Sequence, residues 1–459
     1  MKIKPSEQVT LLYAVLPSFT TDAPIRRFRL TAPLRLSSVL GVIDQSREPT
    51  PDPYEEDTGQ RWRALAYLSI AELLALSLWF SATAVLPALS SEWQLGDSGR
   101  AGLTIAVQLG FIIGTLLSAL GNLPDICSPR VLMAVSAGIG AVANGALALW
   151  VDNLAPALGL RVITGICMAG AYPPAMKIMA TWFRDGRGVA MGILIGALTV
   201  GSATPHLIRG ATDLPWRQTL FAASLLALLS CAIILLLVRD GPYRFPAARF
   251  DIRMAGAIFR ERGLRLACLG YFGHMWELYP MWAWIGVFLA ESIESRGAGE
   301  YFGMHPSVAT FLVIAMGGVG CYLGGVVSDR WGRTTLTMAA MGLSGLCAVV
   351  IGFTFGGSPA LTLAIAILWG ITVIADSAQF STAVTELAQP AYVGTALAIQ
   401  TCVGFALTMA SIWIIPLAVS WVDWRWAFAV LGVGPFLGVA AMGRLRALPD
   451  SLKLASGRR

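Results

Sequence analysis

Twelve long apolar stretches constrain the fold of this chain more than any other feature of its sequence. Each stretch is about 20 to 27 residues long, which is enough for a helix to cross about 30 Å of hydrocarbon. Unbroken apolar runs of this length predict helices, because membrane-spanning strands show a shorter alternating pattern. We therefore predict an all-α membrane protein with twelve transmembrane helices. The predicted spans, numbered 1 to 12 in chain order, are 64–89, 101–121, 131–151, 154–178, 188–209, 217–239, 264–290, 307–327, 336–356, 360–386, 393–419 and 424–444.

The basic residues are distributed unevenly between the two sides of the predicted membrane. The net charge of +6 would by itself allow nucleic-acid binding, but its distribution indicates topology instead. If both termini are cytoplasmic, only five of the 33 basic residues are external and one, Arg161, lies inside the membrane. The excess of Lys and Arg on the cytoplasmic side therefore predicts a multi-pass protein of the inner (plasma) membrane with both termini inside.

The membrane body is predicted to contain two similar halves. A shift of 205 residues places Glu72 on Glu277, Trp79 on Trp284 and Gly165 on Gly370; shifts of 204 and 208 place Asp125 on Asp329 and Trp216 on Trp424. Five matches in order at a nearly constant offset indicate a duplication, with two parallel six-helix repeats. The predicted organisation is a disordered cytoplasmic tail (1–60), a six-helix bundle (61–239), a cytoplasmic linker (240–263), a second six-helix bundle (264–445) and a cytoplasmic tail (446–459).

Ionisable side chains deep inside the spans occur on spans 1, 4, 7 and 10 only. Such a group at the bilayer centre costs about 3 kcal/mol even on lenient scales, so each is a candidate functional residue. Their recurrence on every third span predicts one central polar cavity. The candidate substrate-binding and proton-binding residues are Glu72, Arg161, His274, Glu277, Trp284, Asp376 and Gln379.

Span 7 carries the densest group of candidates. Helical spacing places His274, Glu277, Met281 and Trp284 on one face. Burial in a medium of low dielectric favours the neutral form of a carboxyl group, and histidine titrates near neutrality, so the pair could bind and release a proton. Packing is the alternative role for Trp284.

The remaining candidates also have alternative roles. Arg161 could bind a carboxylate of the substrate, or neutralise Glu72 or Asp376. Asp376 and Gln379 could line the cavity or form a hydrogen-bonded contact between helices. Glu72, nearer the cytoplasmic end, could have a partly structural role.

The loop between spans 8 and 9 contains a recognisable motif. It reads from Gly324 through Asp329 and Arg330 to Arg333, and it resembles the cytoplasmic loop motif of the major facilitator superfamily, G-x-x-x-D-R-x-G-R. The first half has an incomplete copy ending at Asp125. The resemblance implies the twelve-helix fold of that superfamily, a solute carrier working by alternating access, and a cytoplasmic gate formed by Asp125, Asp329, Arg330 and Arg333.

Further segments resemble particular branches of the superfamily. The segment from Trp182 to Gly188 is similar to one found in the nitrate/cyanate-like and anion–cation symporter branches. However, spans 2 and 8 lack the arginines with which nitrate carriers of the superfamily hold their anion. Three acids against one arginine in the predicted cavity favour a neutral, zwitterionic or weakly cationic solute.

The function predicted from these features is secondary active transport of a small organic solute. The sequence contains no nucleotide-binding glycine loop, so an ion gradient must supply the energy, and the buried acids favour protons. The alternatives are a facilitative uniporter and a transporter-like solute sensor or scaffold. We expect neither enzymatic activity, nor a cofactor, nor a metal, since the chain has only three histidines and no H-E-x-x-H motif; the expected partners are the solute, protons and lipid, with a monomeric protein and no nucleic acid.

Overall fold

The computed structural model describes residues 58–183, 186–212, 214–243, 256, 260–389 and 392–458. Nearly all of the predicted tail at 1–60, and much of the predicted linker at 240–263, lie outside the described residues, so the predictions for them stay predictions. The described chain is helical. Its only β-type pairing, within these ranges, is an isolated bridge between Tyr301 and Met304.

The helices of the first half account for six crossings. Span 1 is divided into three helices and span 4 into two, and the other spans are continuous. In chain order the helices of spans 1 to 6 are Thr58–Leu76, Ser81–Ala84 and Leu86–Glu92; Asp97–Leu120; Pro129–Trp150; Leu154–Ala169 and Tyr172–Ala180; Arg187–Thr212; and Trp216–Leu236, with a short helix Leu123–Ile126 between spans 2 and 3.

The second half also accounts for six crossings, but only one of its divided spans corresponds to a divided span of the first half. Spans 8 and 10 are divided, whereas span 7 is one helix of 33 residues that contains Pro280. In chain order the helices are Arg262–Glu294; Pro306–Ala315 and Gly317–Trp331; Arg333–Val350 with the 3₁₀ turn Ile351–Thr354; Pro359–Ile374 and Ser377–Leu387; Val393–Ala427 with the 3₁₀ turn Phe428–Gly432; and Val433–Arg446, followed by the 3₁₀ segment Pro449–Gly457.

Length and composition identify nine membrane-spanning helices among the described residues, and one of these, Val393–Arg446, is 54 residues long. This segment contains two crossings, because the backbone of Asp423 leaves the helical conformation with φ 61°. Spans 1 and 7, which carry the buried acids Glu72 and Glu277, complete the twelve. The predicted fold class is therefore confirmed. We call the side where spans 1 and 7 begin the terminal face, and the opposite side the distal face.

Matching contacts in the two halves support the duplication. At the distal face the indole nitrogen of Trp216 donates to Glu92 at 2.6 Å, and that of Trp424 donates to Glu291 at 2.5 Å. Each pair joins the end of the first span of its half to the start of the sixth. The equivalence of the two contacts agrees with the offset found in the sequence.

Within each half, a glycine on the fourth span brings that span into backbone contact with the second span. A Cβ atom at Gly165 would lie 2.1 Å from the carbonyl oxygen of Val107, and one at Gly370 would lie 1.9 Å from that of Val313. No side chain fits in these spaces. Spans 2 and 4, and likewise spans 8 and 10, are therefore packed backbone to backbone.

Spans 5 and 8 form one of the contacts between the halves, through a row of small residues that we call the glycine seam. A Cβ at Gly192 would lie 2.6 Å from the carbonyl oxygen of Cys321, and one at Gly325 would lie 2.5 Å from that of Gly188. Gly196 faces Gly318 between these two points. The seam thus joins the halves largely through backbone atoms.

The seam makes a first prediction about Gly192. Gly192→Ala should force spans 5 and 8 apart, because the added methyl group meets a backbone carbonyl that no rotamer change can move. We expect a destabilisation of about 1–3 kcal/mol, typical of overpacking, and faster maleimide labelling of the buried thiol of Cys321. The measurements are thermal unfolding and labelling kinetics of the purified protein.

Gly342→Ala is the matched control, because nothing lies within 4 Å of a Cβ at that position. It should leave Cys321 labelling and stability nearly unchanged. Equal effects of the two substitutions would contradict the seam.

Candidate functional site

Span 1 is not helical between Ser77 and Phe80, and Arg161 of span 4 fills the break. Its guanidinium group donates to the carbonyl oxygen of Leu78 at 3.0 Å and to that of Trp79, and to the hydroxyl of Ser81 at 3.1 Å. A helix break inside a membrane leaves carbonyl groups without partners, and these must be satisfied by side chains. Arg161 supplies these donors.

A buried asparagine on span 3 extends this network to span 6. The side chain of Asn144 donates to the carbonyl of Leu220 at 2.8 Å and to Ser224 at 3.0 Å, and its oxygen accepts from Ser81 at 2.7 Å. Arg161 also reaches this oxygen, at 3.4 Å. Four spans of the first half are thereby joined around Arg161, which contacts neither Glu72 nor Asp376 through any hydrogen bond found here.

Glu277 on span 7 has a hydrogen-bond donor for each carboxyl oxygen. The hydroxyl of Ser344 on span 9 donates at 2.7 Å, and the indole nitrogen of Trp369 on span 10 donates at 2.8 Å. The residue is almost completely buried. Hydrogen bonds to both oxygens favour the charged carboxylate, whereas burial opposes it.

His274, one turn earlier on span 7, lies against Asp376. Its Nδ1 atom is 2.9 Å from Oδ1 of Asp376, and both side chains are buried. The two atoms are close enough to form an ion pair when the imidazole is protonated, and neither oxygen of Asp376 has a hydrogen-bonded partner. Asp376 itself lies at the break of span 10, between the helices that end at Ile374 and begin at Ser377.

Glu72 differs from the other two buried acids. Its side chain is completely buried, and neither carboxyl oxygen has a hydrogen-bond partner. Two glutamines share this property: Gln108 on span 2 and Gln400 on span 11 are buried with both amide atoms unpartnered. Buried polar groups are normally hydrogen-bonded, and exceptions mark places where a ligand or water can bind.

An aromatic cluster joins the halves near the membrane centre. The rings of Phe111 and Phe405 have centroids 4.3 Å apart, and Trp79 lies 5.0 Å from Phe111 and 5.6 Å from Tyr279. These four residues come from spans 1, 2, 7 and 11. We call them the aromatic layer. Trp79 reaches the layer because the break in span 1, which Arg161 fills, lies at this residue.

Two predicted site residues lie apart from this centre. The indole nitrogen of Trp284 donates to the carbonyl of Ile412 on span 11 at 3.0 Å, which is a packing contact between two helices of the same half. Gln379 accepts a hydrogen bond from Arg333 at 2.7 Å and so belongs to the terminal face. The backbone nitrogen of Gln379 donates to the carbonyl of Asp376 at 2.9 Å, but its side chain contacts Arg333.

The predicted gate residues divide between two kinds of contact. Arg333 forms a two-pronged ion pair with Glu386 of span 10, at 2.7 and 2.8 Å, and this pair stays within the second half. The carboxylate of Asp329 instead lies where a side chain of Gly188 would be, at the first turn of span 5 in the other half. Arg330 is exposed, and the side chain of Asp125 lies outside the described residues.

The residues beyond span 12 pack on this part of the terminal face. The backbone nitrogen of Ala455 donates to Glu386 at 3.1 Å, and Arg458 donates to the backbone carbonyl of Asp329. In the part of the chain that the structure describes, no group of three His, Cys, Asp or Glu side chains could hold a metal ion.

Sequence comparison identifies the family. The model of the Major Facilitator Superfamily matches residues 68–410, which is most of the chain. The chain belongs to the major facilitator superfamily. It is therefore a transporter of a solute, with the family and fold of transporters rather than of enzymes.

Curated relatives and solved structures agree with this assignment. The chain is 22% identical to the MFS-type transporter opdF of Penicillium oxalicum over 345 residues, covering 72% of this chain and 77% of that protein. It is 28% identical to the glycerol-3-phosphate transporter of Bacillus subtilis over 130 residues, covering 27% of this chain and 29% of that protein. The nucleoside transporter NupG and the proton:xylose symporter XylE each have the same fold at a TM-score of 0.65, with 14% and 15% identity, and cover 83% and 84% of this chain and 99% and 96% of their own.

Several residues of this superfamily member were not predicted as site residues. They are Gln108, Gln400, Ser344, Trp369 and Glu386. The unpartnered glutamines have a sequence signal, since amide side chains are rare inside apolar spans. Ser344, Trp369 and Glu386 lie 53 to 92 residues away from the groups that they contact and have no comparable signal.

The contacts of Arg161 make the second prediction. Arg161→Met should leave the carbonyls of Leu78 and Trp79 unpartnered, at about 1–3 kcal/mol for each buried group. Arg161→Lys should restore little of this stability, because a single ammonium group cannot reproduce the planar fork of donors. Thermal unfolding of the purified variants is the measurement.

Arg209→Met is the control, since Arg209 makes a single bond to the carbonyl of Leu214 near the distal face. A stability loss at Arg161 no larger than that at Arg209 would show that the break in span 1 does not depend on the guanidinium.

Proposed function

We propose that this protein is a proton-coupled secondary active transporter of a small organic solute. The observation that carries the proposal is the buried contact between His274 and Asp376, at 2.9 Å. Imidazole and carboxylate groups are the side chains that most often carry protons in proteins, and here one of each lies buried in contact. The pair lies at the break of span 10, so a proton bound here acts on a point where the backbone is already interrupted.

Glu277 is the second proton-binding group of the proposal. It lies three residues from His274 on the same helix, and its carboxylate is held by Ser344 and Trp369 of spans 9 and 10. Protonation of Glu277 would remove its ability to accept at one oxygen and so weaken a contact between spans 7, 9 and 10. Proton binding would thereby alter the packing of the second half.

Transport itself would proceed by alternating exposure of the centre between the halves. In the present conformation the glycine seam and the aromatic layer close the centre. At the terminal face, the carboxylate of Asp329 lies at the N-terminal end of the span 5 helix, where the helix dipole favours a negative charge. We propose that this contact between the halves keeps the terminal face closed and breaks when that face opens.

The distribution of basic residues supports a cytoplasmic terminal face, and we propose a monomer in the inner (plasma) membrane. A facilitative uniporter remains the alternative, in which the His274–Asp376 contact is structural. The family and fold favour transport over a sensor or scaffold role.

The third prediction concerns proton coupling. Asp376→Asn, His274→Gln and Glu277→Gln should each abolish solute accumulation driven by a pH gradient, while solute exchange without a gradient is retained. The protein is reconstituted in liposomes that contain a pH-sensitive dye, and a metabolite panel is screened for solute-dependent proton movement. Glu291→Gln removes an acid at the distal end of span 7 and should leave coupling intact.

Two results would contradict proton coupling. One is solute flux that is indifferent to the pH gradient in the wild-type protein. The other is gradient-driven accumulation that survives all three substitutions.

The fourth prediction concerns the closed terminal face. Asp329→Asn should weaken its contact with the helix end, and Gly188→Ala should displace the Asp329 carboxylate from the same space. Both should slow turnover several-fold and leave solute affinity unchanged, because neither residue lies near the centre. Gly342→Ala serves again as control. A loss of affinity as large as the loss of turnover would place Asp329 in binding rather than closure.

A further inference from the structure

A cavity of about 200 Å³, which we call the distal cavity, lies between the two halves toward the distal face. Its walls come from spans 1 and 5 of the first half and from spans 7 and 8 of the second. Sites for drug-sized ligands occupy about 300–1,000 Å³, so a smaller molecule fits here. Gly286 in its wall follows Glu277 by nine residues, about 13 Å along a helix axis. The cavity is therefore separate from the proton-binding residues.

The side chains around the distal cavity favour negative charge. Three of them, His206, Arg209 and His305, can be positively charged. Among the residues that the structure describes, no acidic side chain lines the cavity. Glu291 follows Ala290 of the wall, but its carboxylate accepts a hydrogen bond from Trp424 at 2.5 Å. A cavity lined by one sign of charge attracts ions of the opposite sign, so an anion is the expected ligand.

His206 of span 5 is a buried side chain with a free binding atom in this cavity. The residue is only 4% exposed, and its Nε2 atom has no hydrogen-bond partner. Its Cε1 atom is 3.7 Å from the place of a Cβ on Gly286, so the imidazole lies against span 7 of the other half. Buried polar atoms are normally hydrogen-bonded, and an exception marks a place where a ligand or water can bind.

Arg209 lies one turn after His206 and has donors to spare. One terminal nitrogen donates to the carbonyl of Leu214 at 2.7 Å. No ion pair found among the described residues includes Arg209. A guanidinium group has five N–H donors in a planar fork that matches the two oxygens of a carboxylate. The donors that Leu214 does not use remain available to an anion in the cavity.

His305 contributes a donor from the second half. It precedes the span 8 helix that begins at Pro306, and its Nδ1 atom accepts a hydrogen bond from the backbone nitrogen of Ser307 at 3.1 Å. Because Nδ1 is the acceptor, the proton of the imidazole is on Nε2, which is then a donor. The N-terminal end of a helix also favours a negative charge. Both halves thus offer donors to the same cavity.

The rest of the lining is mainly small and apolar. It includes Ala84 and Pro87 of span 1 and Ala283, Val287 and Ala290 of span 7. A carbon skeleton can cover these side chains, whereas an inorganic anion would leave them without contacts. Apolar walls with a few placed polar groups are typical of sites for small organic molecules. The lining therefore favours an organic anion over inorganic phosphate.

We propose that the distal cavity binds the carboxylate group of a small organic anion and is the place where this solute enters from outside. The inference rests on the proposed transport function and assigns the chemical class of the solute. Arg209 and His206 hold the carboxylate from the first half and His305 from the second. An anion can approach the buried acids of the centre when these are protonated, and the proposed proton coupling supplies the protons.

Equilibrium binding to the purified full-length protein tests the site without any proton gradient. The probes are butyrate with its neutral partner butyramide, benzoate with benzamide, and inorganic phosphate. Calorimetry and thermal stabilisation measure their affinities. We expect at least one carboxylate to bind roughly tenfold or more tightly than its amide and than phosphate, because charge-assisted hydrogen bonds are about twice as strong as neutral ones.

Substitutions connect this preference to the cavity. Arg209→Gln should remove the preference for the carboxylate, and Arg209→Lys should retain part of it. His305→Asn keeps an acceptor for the helix end but removes the Nε2 donor, and should weaken binding several-fold. Ala290→Leu obstructs the cavity with every charge in place and should also weaken binding. Arg296→Gln is the matched control, since Arg296 is an exposed distal-face arginine that donates to the carbonyl of Gly357.

Exchange in liposomes without a pH gradient tests whether the bound carboxylate is the solute. The carboxylate that binds should be exchanged across the membrane. Arg209→Gln should raise its KM several-fold and leave kcat nearly unchanged, because Arg209 acts at the entrance. Unfolding curves of each variant separate a loss of binding from a loss of folding, and Arg209→Lys supplies a folded variant that keeps the charge.

Five results would overturn the proposal. They are equal binding of carboxylate and amide, phosphate bound as tightly as either carboxylate, no binding of either carboxylate, a carboxylate preference that survives both Arg209→Gln and Ala290→Leu, and a bound carboxylate that is not exchanged. None of them depends on proton movement. If another solute still accumulates with the pH gradient, the proposed transport function stands without this site.

Discussion

The interior of a membrane offers no water to a broken helix, and this constraint determines how the centre of the protein is built. The break in span 1 frees the carbonyls of Leu78 and Trp79, and the guanidinium of Arg161 satisfies both. Asn144 then connects this point to spans 3 and 6. Trp79 lies at the break and belongs to the aromatic layer. The position of this layer between the halves therefore depends on Arg161, which contacts the backbone carbonyl of Trp79.

The three buried acids occupy three different environments, and this difference suggests a division of labour. Glu277 is held by neutral donors, Asp376 lies against the imidazole of His274, and Glu72 is buried without a hydrogen-bond donor. In the proposed function the first two exchange protons. Glu72 and Glu277 occupy equivalent positions in the repeat, yet only Glu277 has hydrogen-bond donors for its carboxyl group.

The sequence predicted the parts that depend on local pattern. Span number and the duplication follow from apolar length and from spacing, and the contact of His274 with Asp376 joins two residues that were both identified as buried and ionisable. Trp284 was predicted as a cavity residue from helical spacing and from its equivalence to Trp79, and Gln379 because it follows Asp376 in a polar cluster on span 10. In the structure Gln379 accepts a hydrogen bond from Arg333, and Trp284 donates to the carbonyl of Ile412. Helix breaks without proline and contacts between distant spans leave no periodic signal, so Ser344 and Trp369 could not be predicted.

The glycine seam has a consequence for how fast the halves can separate. Interlocked side chains must change rotamer together before two helices part, and this adds a barrier to the motion. Backbone facing backbone, as at Gly192 and Cys321 or at Gly196 and Gly318, has no such interlock. The two halves can therefore separate along the seam without concerted rotamer changes. The resistance to opening is then concentrated in the polar and aromatic contacts elsewhere along the interface.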